Sequence, residues 1–362
     1  MGSSPARRPR ASSLARRVGV ALGLATSVPA LLLLLLGIAA PVSPLGLAFL
    51  VVLLVATIGL ITAPLRVGRW RGITRASTAA LICIVALRCA VVHGDGGGAR
   101  VVTLGASGET APRHLNRVLP ERDLALGGSR MLSTRRFVPA GFVRQLGAVY
   151  DRMEREVGQL PSPLNATYLG LQRPEAFDVV VVEGRGQRRA DTAVVFLHGY
   201  AGNVSAICWL VALAARDHGV TTHCPSVGFA GDWWRPHGAR TLGAMLTHLE
   251  RAGVRRVFLV GLSNGARGAS LLAPRFARRI VGLVLLSGID EHARPPALPV
   301  LLLHGAHDPG VPAGVAKRYL AAARQAKQVT VPGDHFVLVT RERQVREALS
   351  GWLRSTALAT AR

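Results

Sequence analysis

The chain has 362 residues, 49% of them hydrophobic, and a formal net charge of +24. That length admits one sizeable α/β domain with further segments attached. The positive charge is almost all Arg, with Lys only at 317 and 327; it is dispersed and accompanied by no nucleic-acid motif, so no nucleic-acid partner is expected.

Residues 1–17 are rich in Arg and Ser and read as a basic tail. Residues 18–40 form a long uncharged apolar run, broken by Pro41 and Pro44. A second run of about spanning length covers 45–62, and a third, weakened by Arg88, covers 76–92. The first run is rather long for a signal peptide, and a second apolar run follows it at once, so retained membrane helices are expected. The tail and the loop carrying Arg66, Arg69, Arg71 and Arg75 are both basic. The positive-inside rule therefore puts both on the cytoplasmic side. Membrane lipid is then a partner, and arginines flanking the spans suit anionic headgroups.

If the third run spans, with Arg88 snorkelling to the interface, everything beyond Gly94 lies outside. The expectation is then a multi-pass protein of a bacterial inner membrane with its large C-terminal domain outside the cytoplasm. The alternative is two spans, with the third run buried or interfacial and the domain cytoplasmic.

Residues 94–98 read as a flexible linker, and 94–160 as linker plus accessory segment. Within it, Phe142, Leu146, Val149, Met153 and Val157 have helical spacing. From 161 to the end the pattern alternates. Strands are expected at 167–171, 177–182, 192–197, 220–224, 257–260, 280–286, 300–303 and 328–331. Helices are expected at 206–217, 239–252, 266–277, 313–325 and 341–355. Strands separated by helices imply an α/β fold with a mostly parallel sheet covered on both faces.

Four short stretches carry chemistry. The first is 257–266, where an apolar strand ends in Gly-Leu-Ser-Asn-Gly and a small-residue helix follows. The glycines permit a tight turn that lifts the Ser263 hydroxyl above the sheet edge, beside a helix N-terminus. The second is Leu-His-Gly-Tyr-Ala-Gly at 197–202. A tetrahedral intermediate needs two donors aimed at its oxygen. The backbone N–H groups of Tyr200 and Asn264 are the candidates, with His198 holding the loop.

The third stretch, 303–312, presents Asp308 after a strand, where a carboxylate can fix a histidine tautomer. Asp290 and Asp334 are rival acids. The fourth, Gly-Asp-His-Phe at 333–336, presents His335 as the base for Ser263. Trp233 and Trp234 follow the 220–224 strand on the same edge. They are candidates to line an acyl pocket, ordinary packing or a membrane-interface contact being the alternative.

Taken in order and spacing, these motifs resemble the α/β-hydrolase superfamily over residues 164–355. The resemblance implies an α/β-hydrolase fold and a serine hydrolase with catalytic Ser263, Asp308 and His335. It implies an acyl-enzyme intermediate and no cofactor; no phosphate loop, dinucleotide fingerprint or metal cluster is present in the sequence. The expected substrate is a small-molecule or lipid carboxylic ester or thioester. Amide cleavage, acyl transfer and a non-catalytic membrane scaffold are the rival readings.

The family often places a lid before the acid-bearing strand, but only 290–298 lie there, too few for a lid domain. Of the four cysteines, Cys83, Cys89, Cys208 and Cys224, none forms a C-x-x-C pair. Cys208 and Cys224 are either disulfide-bonded, as an extracytoplasmic domain would allow, or two buried thiols.

Overall fold

The computed structural model describes residues 11–39, 42–62, 68–92, 95–105, 108–110, 113–139 and 141–359. Most of the expected basic tail and the 63–67 loop, with Arg66, therefore lie outside the described residues. Three helices come first: α1 (Ala11–Ala39), α2 (Pro44–Thr62) and α3 (Gly68–Val91). Among the described residues, two segments are long and apolar enough to cross a membrane by length and composition, Val20–Ala39 in α1 and Gly72–Ala90 in α3. Pro44–Gly59 in α2 is a shorter apolar segment.

Strands β1 (Asp95–Gly96), β2 (Ala99–Gly105) and β3 (Gly108–Thr110) follow, then a 3-10 turn (His114–Arg117). Next come α4 (Glu121–Thr134), α5 (Phe142–Val157) and α6 (Pro163–Tyr168). The remainder alternates: β4 (Ala176–Val182), β5 (Thr192–Leu197), α7 (Ser205–Arg216), β6 (Thr221–Pro225), α8 (Pro236–Arg251) and β7 (Arg256–Leu262). It continues with α9 (Asn264–Leu272), β8 (Gly282–Leu286), β9 (Pro299–Gly305), α10 (Ala313–Ala322), β10 (Gln325–Val331), α11 (Val337–Thr340) and α12 (Glu342–Ala359).

The sheet order is β1-β2-β4-β6-β5-β7-β8-β9-β10, with β3 paired to β2. Strand β4 is antiparallel to both neighbours, and β6, β5, β7, β8, β9 and β10 run parallel. Apolar residues alternate along each strand, yet both sets are buried. Val180, Val194, Phe196, Phe258 and Val260 face one core with α5, α7 and α12. Val179, Val181, Val195, Leu197 and Leu259 face the other with α8, α9 and α10. A sheet covered on both faces needs continuous apolar strands, which is how these read.

Two expectations are corrected. Residues 95–105, read as linker and accessory segment, supply the first strands of the sheet. They pair because 99–105 alternates apolar residues that fit beside β4, from Ala99↔Val182 to Gly105↔Ala176. Residues 167–171, read as a strand, instead contain the end of helix α6. Pro163 suits the first helical position, and Asn165 Nδ2 is held by the carbonyls of Leu115 (3.0 Å) and Leu119 (3.3 Å). The Arg88 Nε, near the end of α3, donates to the carbonyls of Val118 (3.0 Å) and Arg117 (3.2 Å).

The accessory helices are fastened by buried acids. Asp178 on β4 accepts from Thr103 Oγ1 (2.7 Å), Asn116 Nδ2 (2.9 Å) and Gln172 Nε2 (2.9 Å), tying β2 and the 3-10 turn to the sheet. Glu121, at the start of α4, accepts from the Ser205 N–H (2.6 Å), the Ser205 hydroxyl (2.8 Å) and the Tyr150 hydroxyl (2.9 Å). It thereby caps α7, where a carboxylate complements the helix dipole. Two residues on, Asp123 accepts from the Ser43 N–H (2.7 Å) and hydroxyl (2.8 Å) at the start of α2. One turn of α4 thus grips both α2 and α7.

The turn between β7 and α9 is built on near-contact of backbones. A Cβ at Gly261 would lie 2.4 Å from the Gly265 carbonyl oxygen, and one at Gly265 would lie 2.0 Å from that of Leu197. Only glycine permits this approach, and Ser263 between them adopts φ +55°.

Two predictions follow from this packing. Gly265→Ala should cost about 3 kcal/mol through overpacking, read as a lowered thermal midpoint. Burial pushes the Glu121 carboxyl up to about 7, against the pull of its hydrogen bonds to Ser205 and Tyr150. Between its ordinary value of 4.5 and about 7, the folded chain holds a proton that the unfolded chain has lost. Stability should therefore fall as pH rises through that window, by on the order of 3 kcal/mol. Glu121→Gln should flatten this slope in thermal unfolding followed against pH; an unchanged slope would assign it to other groups.

Candidate active site

Ser263 sits at the apex of the β7–α9 turn, at the C-terminal edge of the parallel strands. Its positive φ points the side chain away from the helix axis, and its N–H is held by the Leu286 carbonyl (2.9 Å). His335 follows β10, and its Nε2 lies 2.8 Å from Ser263 Oγ. Its Nδ1 lies 2.8 Å from Asp308 Oδ1, beyond the end of β9. Three loops far apart in sequence meet because β7, β8, β9 and β10 are parallel neighbours, so their C-terminal ends share one edge.

Asp308 is fixed in charge as well as place. Burial pushes the Asp308 carboxyl upward, but the His335 hydrogen bond, the His335 charge and the Gly310 N–H outweigh it, leaving it below its ordinary value. A carboxylate so held orients the imidazole with Nδ1 protonated and Nε2 free to accept the serine proton. The rival acids are engaged elsewhere. Asp290 pairs with Arg267 (3.0 Å) and accepts the His292 N–H (3.0 Å). Asp334 accepts the Phe336 N–H (2.9 Å) within its own turn.

The 198–202 loop lies against the serine. A Cβ at Gly199 would be 3.0 Å from Ser263 Cβ and 3.6 Å from its Oγ. Tyr200 is the next residue, so its backbone is beside Ser263 while its side chain is 58% exposed. Asn264 follows Ser263 at the start of α9; its side chain donates to the Ala230 carbonyl (2.8 Å), tying the turn to the 226–234 loop.

His198 holds the loop, as expected from sequence. It is buried, its Nδ1 lies 2.8 Å from the Gly199 carbonyl, and its Nε2 accepts the Val227 N–H at 3.1 Å. Burial pushes its pKa down to about 4, so it stays neutral and works as a brace. His304 plays a similar part beneath the acid loop, through the Gly305 carbonyl and Gln328 (both 2.8 Å).

The tryptophans separate. Trp233 does not line an acyl pocket: it is fully buried, packed on Gly238 and Gly268, and its indole N–H donates to the His198 carbonyl (2.9 Å). Trp233 is a core residue whose backbone and Cβ are closely approached by Gly238 and Gly268, and its indole braces the His198 loop. Trp234 is half-buried with the Arg267 guanidinium 5.1 Å from its ring centre.

Sequence reasoning missed an aromatic cluster beside the loop. Phe229 packs edge-on against Tyr200 (4.6 Å between ring centres) and Tyr168 (5.5 Å), and the Tyr168 hydroxyl donates to the Ala201 carbonyl (3.2 Å). These residues sit at the end of α6 and in two separate loops with no common motif, so no local signal joins them. Cys208 on α7 and Cys224 on β6 are disulfide-bonded, with Cα atoms 6.1 Å apart. Among the described residues, no group of His, Cys, Asp and Glu is arranged to hold a metal ion.

The site is open to solvent: the His335 ring is 27% exposed and Ser263 is partly exposed. Helix α5 does not cross over it. It packs outside α7, with Phe142 reaching only as far as Phe336 (4.9 Å).

No protein-family model matches this chain, and no curated protein matches it by sequence. Similar solved structures include Est1E from Butyrivibrio proteoclasticus, 16% identical with a TM-score of 0.43, covering 51% of this chain and 95% of Est1E. XC6422 from Xanthomonas campestris, described as an α/β serine hydrolase without a lid, is 21% identical with a TM-score of 0.43, covering 51% and 91%. An α/β serine hydrolase homologue from Coxiella burnetii is 19% identical with a TM-score of 0.42, covering 49% and 92%. At these values the likenesses decide nothing about activity. The parallel run β6-β5-β7-β8-β9-β10, flanked by the antiparallel strand β4, and the strained serine turn are those of an α/β-hydrolase fold.

Proposed function

We propose that this chain is a membrane-anchored serine hydrolase that cleaves carboxylic esters or thioesters, with residues 95–359 as its catalytic unit. One observation carries the reading: the unbroken line Asp308 Oδ1, His335 Nδ1, His335 Nε2, Ser263 Oγ, with both contacts at 2.8 Å. Ser263 Oγ attacks the ester carbonyl carbon while its proton passes to His335 Nε2. The imidazolium is stabilised by Asp308. The Tyr200 and Asn264 N–H groups receive the oxyanion. His335 then returns the proton to the departing alkoxide or thiolate, leaving an acyl-serine. Water, deprotonated by the same nitrogen, releases the acid and restores the serine.

The catalytic unit belongs outside the membrane in this reading. The three N-terminal helices have two ends that rest on residues 113–124: the Ser43 turn on Asp123, and Arg88 on the Arg117 and Val118 carbonyls. In sequence, the arginines of the tail precede α1, and those of 66–75 follow α2. With those on the cytoplasmic side, three spans place the catalytic unit on the far side. The Cys208–Cys224 disulfide supports an oxidising compartment.

The deciding experiment is fluorophosphonate labelling of the full chain in membranes, followed by ester hydrolysis. Ser263→Ala should abolish labelling, and Ser263→Ala or His335→Ala should lower turnover by about 10⁴-fold or more without unfolding the domain. Asp308→Asn should be comparably severe, while Asp290→Asn should cost less than about tenfold. A severe Asp290→Asn would transfer the acid role, and a folded but unlabelled wild type would favour a non-catalytic scaffold. Matched ester, thioester and amide substrates separate esterase from amidase.

A further inference from the structure

Beside the nucleophile lies an exposed apolar surface that the chemistry above does not use. Tyr168 and Phe229 are 45% and 41% exposed, and Tyr200 more so. Leu169 and Leu171, in the turn that ends α6, are also exposed. The three rings pack edge to face, so they form one surface. It adjoins the reaction centre, because Tyr200 directly follows Gly199, which lies against Ser263. Aromatic rings with a polar tip offer large contact area at an apolar–water boundary.

The position of this surface relative to the membrane helices gives it meaning. Tyr168 and Leu169 lie at the end of α6, a helix of six residues and therefore ~9 Å long. Asn165 in that helix is held by the Leu115 and Leu119 carbonyls. The same turn receives Arg88 from the end of α3, through the Arg117 and Val118 carbonyls. The apolar surface is therefore linked through one short helix to the point where the chain leaves the third apolar helix. The Tyr168 hydroxyl also holds the Ala201 carbonyl in a loop whose φ of +78° is unusual for alanine. The surface and the proposed oxyanion donors are thus one mechanical unit.

We infer that Tyr168, Leu169, Leu171, Phe229 and the Tyr200 ring form the acyl-chain site, and that the substrate is a bilayer-resident lipid ester whose chain passes onto them. This inference rests on the serine hydrolase reading and on the membrane anchor. The ester carbonyl meets Ser263 while the chain lies on the aromatic surface. The water-filled side of the open site is left for the polar leaving group.

The test compares p-nitrophenyl acetate with p-nitrophenyl laurate, the latter presented in phosphatidylcholine vesicles containing the full-length protein. The wild type should prefer laurate. Leu169→Ser and Phe229→Ser, both at exposed positions, should lower the laurate-to-acetate ratio of kcat/KM by about tenfold or more, since burial of several methylenes is lost. An unchanged ratio in both variants overturns the assignment of the surface. A wild type that cleaves acetate with no preference for laurate in vesicles overturns the lipid inference and leaves the hydrolase reading standing. A folded wild type that cleaves neither ester and takes no fluorophosphonate overturns both.

Discussion

The structure depends on a place where three backbones come closer than any side chain would allow. Gly261, Gly265 and the Leu197 carbonyl meet at the end of β5 and β7. That approach seats helix α9 on the two central strands and forces Ser263 into its left-handed conformation. It also sets the Asn264 N–H at the helix start and brings the 198–202 loop over the serine. The serine turn and the facing loop are therefore consequences of one steric constraint.

Charge and burial are then arranged so that each ionisable group has one task. Asp308 is buried, yet its hydrogen bonds hold it ionised below its ordinary value. His198 is buried without a carboxylate partner and falls to about 4, so it stays neutral and braces two loops. The two histidines differ through their surroundings. One faces an acid and a serine; the other faces backbone groups. Asp290 and Asp334 show the same logic, since each is already committed to local partners.

The first turn of α4 couples parts that sequence separates widely. Glu121 caps α7, the helix that begins just after the serine-facing loop, and Asp123 holds Ser43 at the start of α2. Breaking a buried, fully hydrogen-bonded carboxylate leaves its donors unsatisfied, which costs more than the bonds return when made. The N-terminal helices, the accessory helices and the sheet edge that carries Ser263 are thus linked through polar groups at a few points, with apolar packing filling the space between.

Much of this was legible in the sequence because it is local. Apolar strand runs, glycines flanking Ser263 and the order serine, acid, histidine are all read within short windows. They led to the α/β-hydrolase fold and to Ser263, Asp308 and His335. What stayed hidden depends on contact between distant segments. Residues 95–105 look like linker until β4 offers them a partner. Residues 167–171 look like a strand until the Leu115 and Leu119 carbonyls hold Asn165 in a helix. Trp233 looks like a pocket wall, yet the glycines at 238 and 268 make room for it in the core. The Cys208–Cys224 bond and the Tyr168–Phe229–Tyr200 surface were likewise decided only by tertiary structure. The physical reason is common to all of them: periodicity reports which face of an element is apolar, whereas the partner of a side chain is set by packing across the sheet.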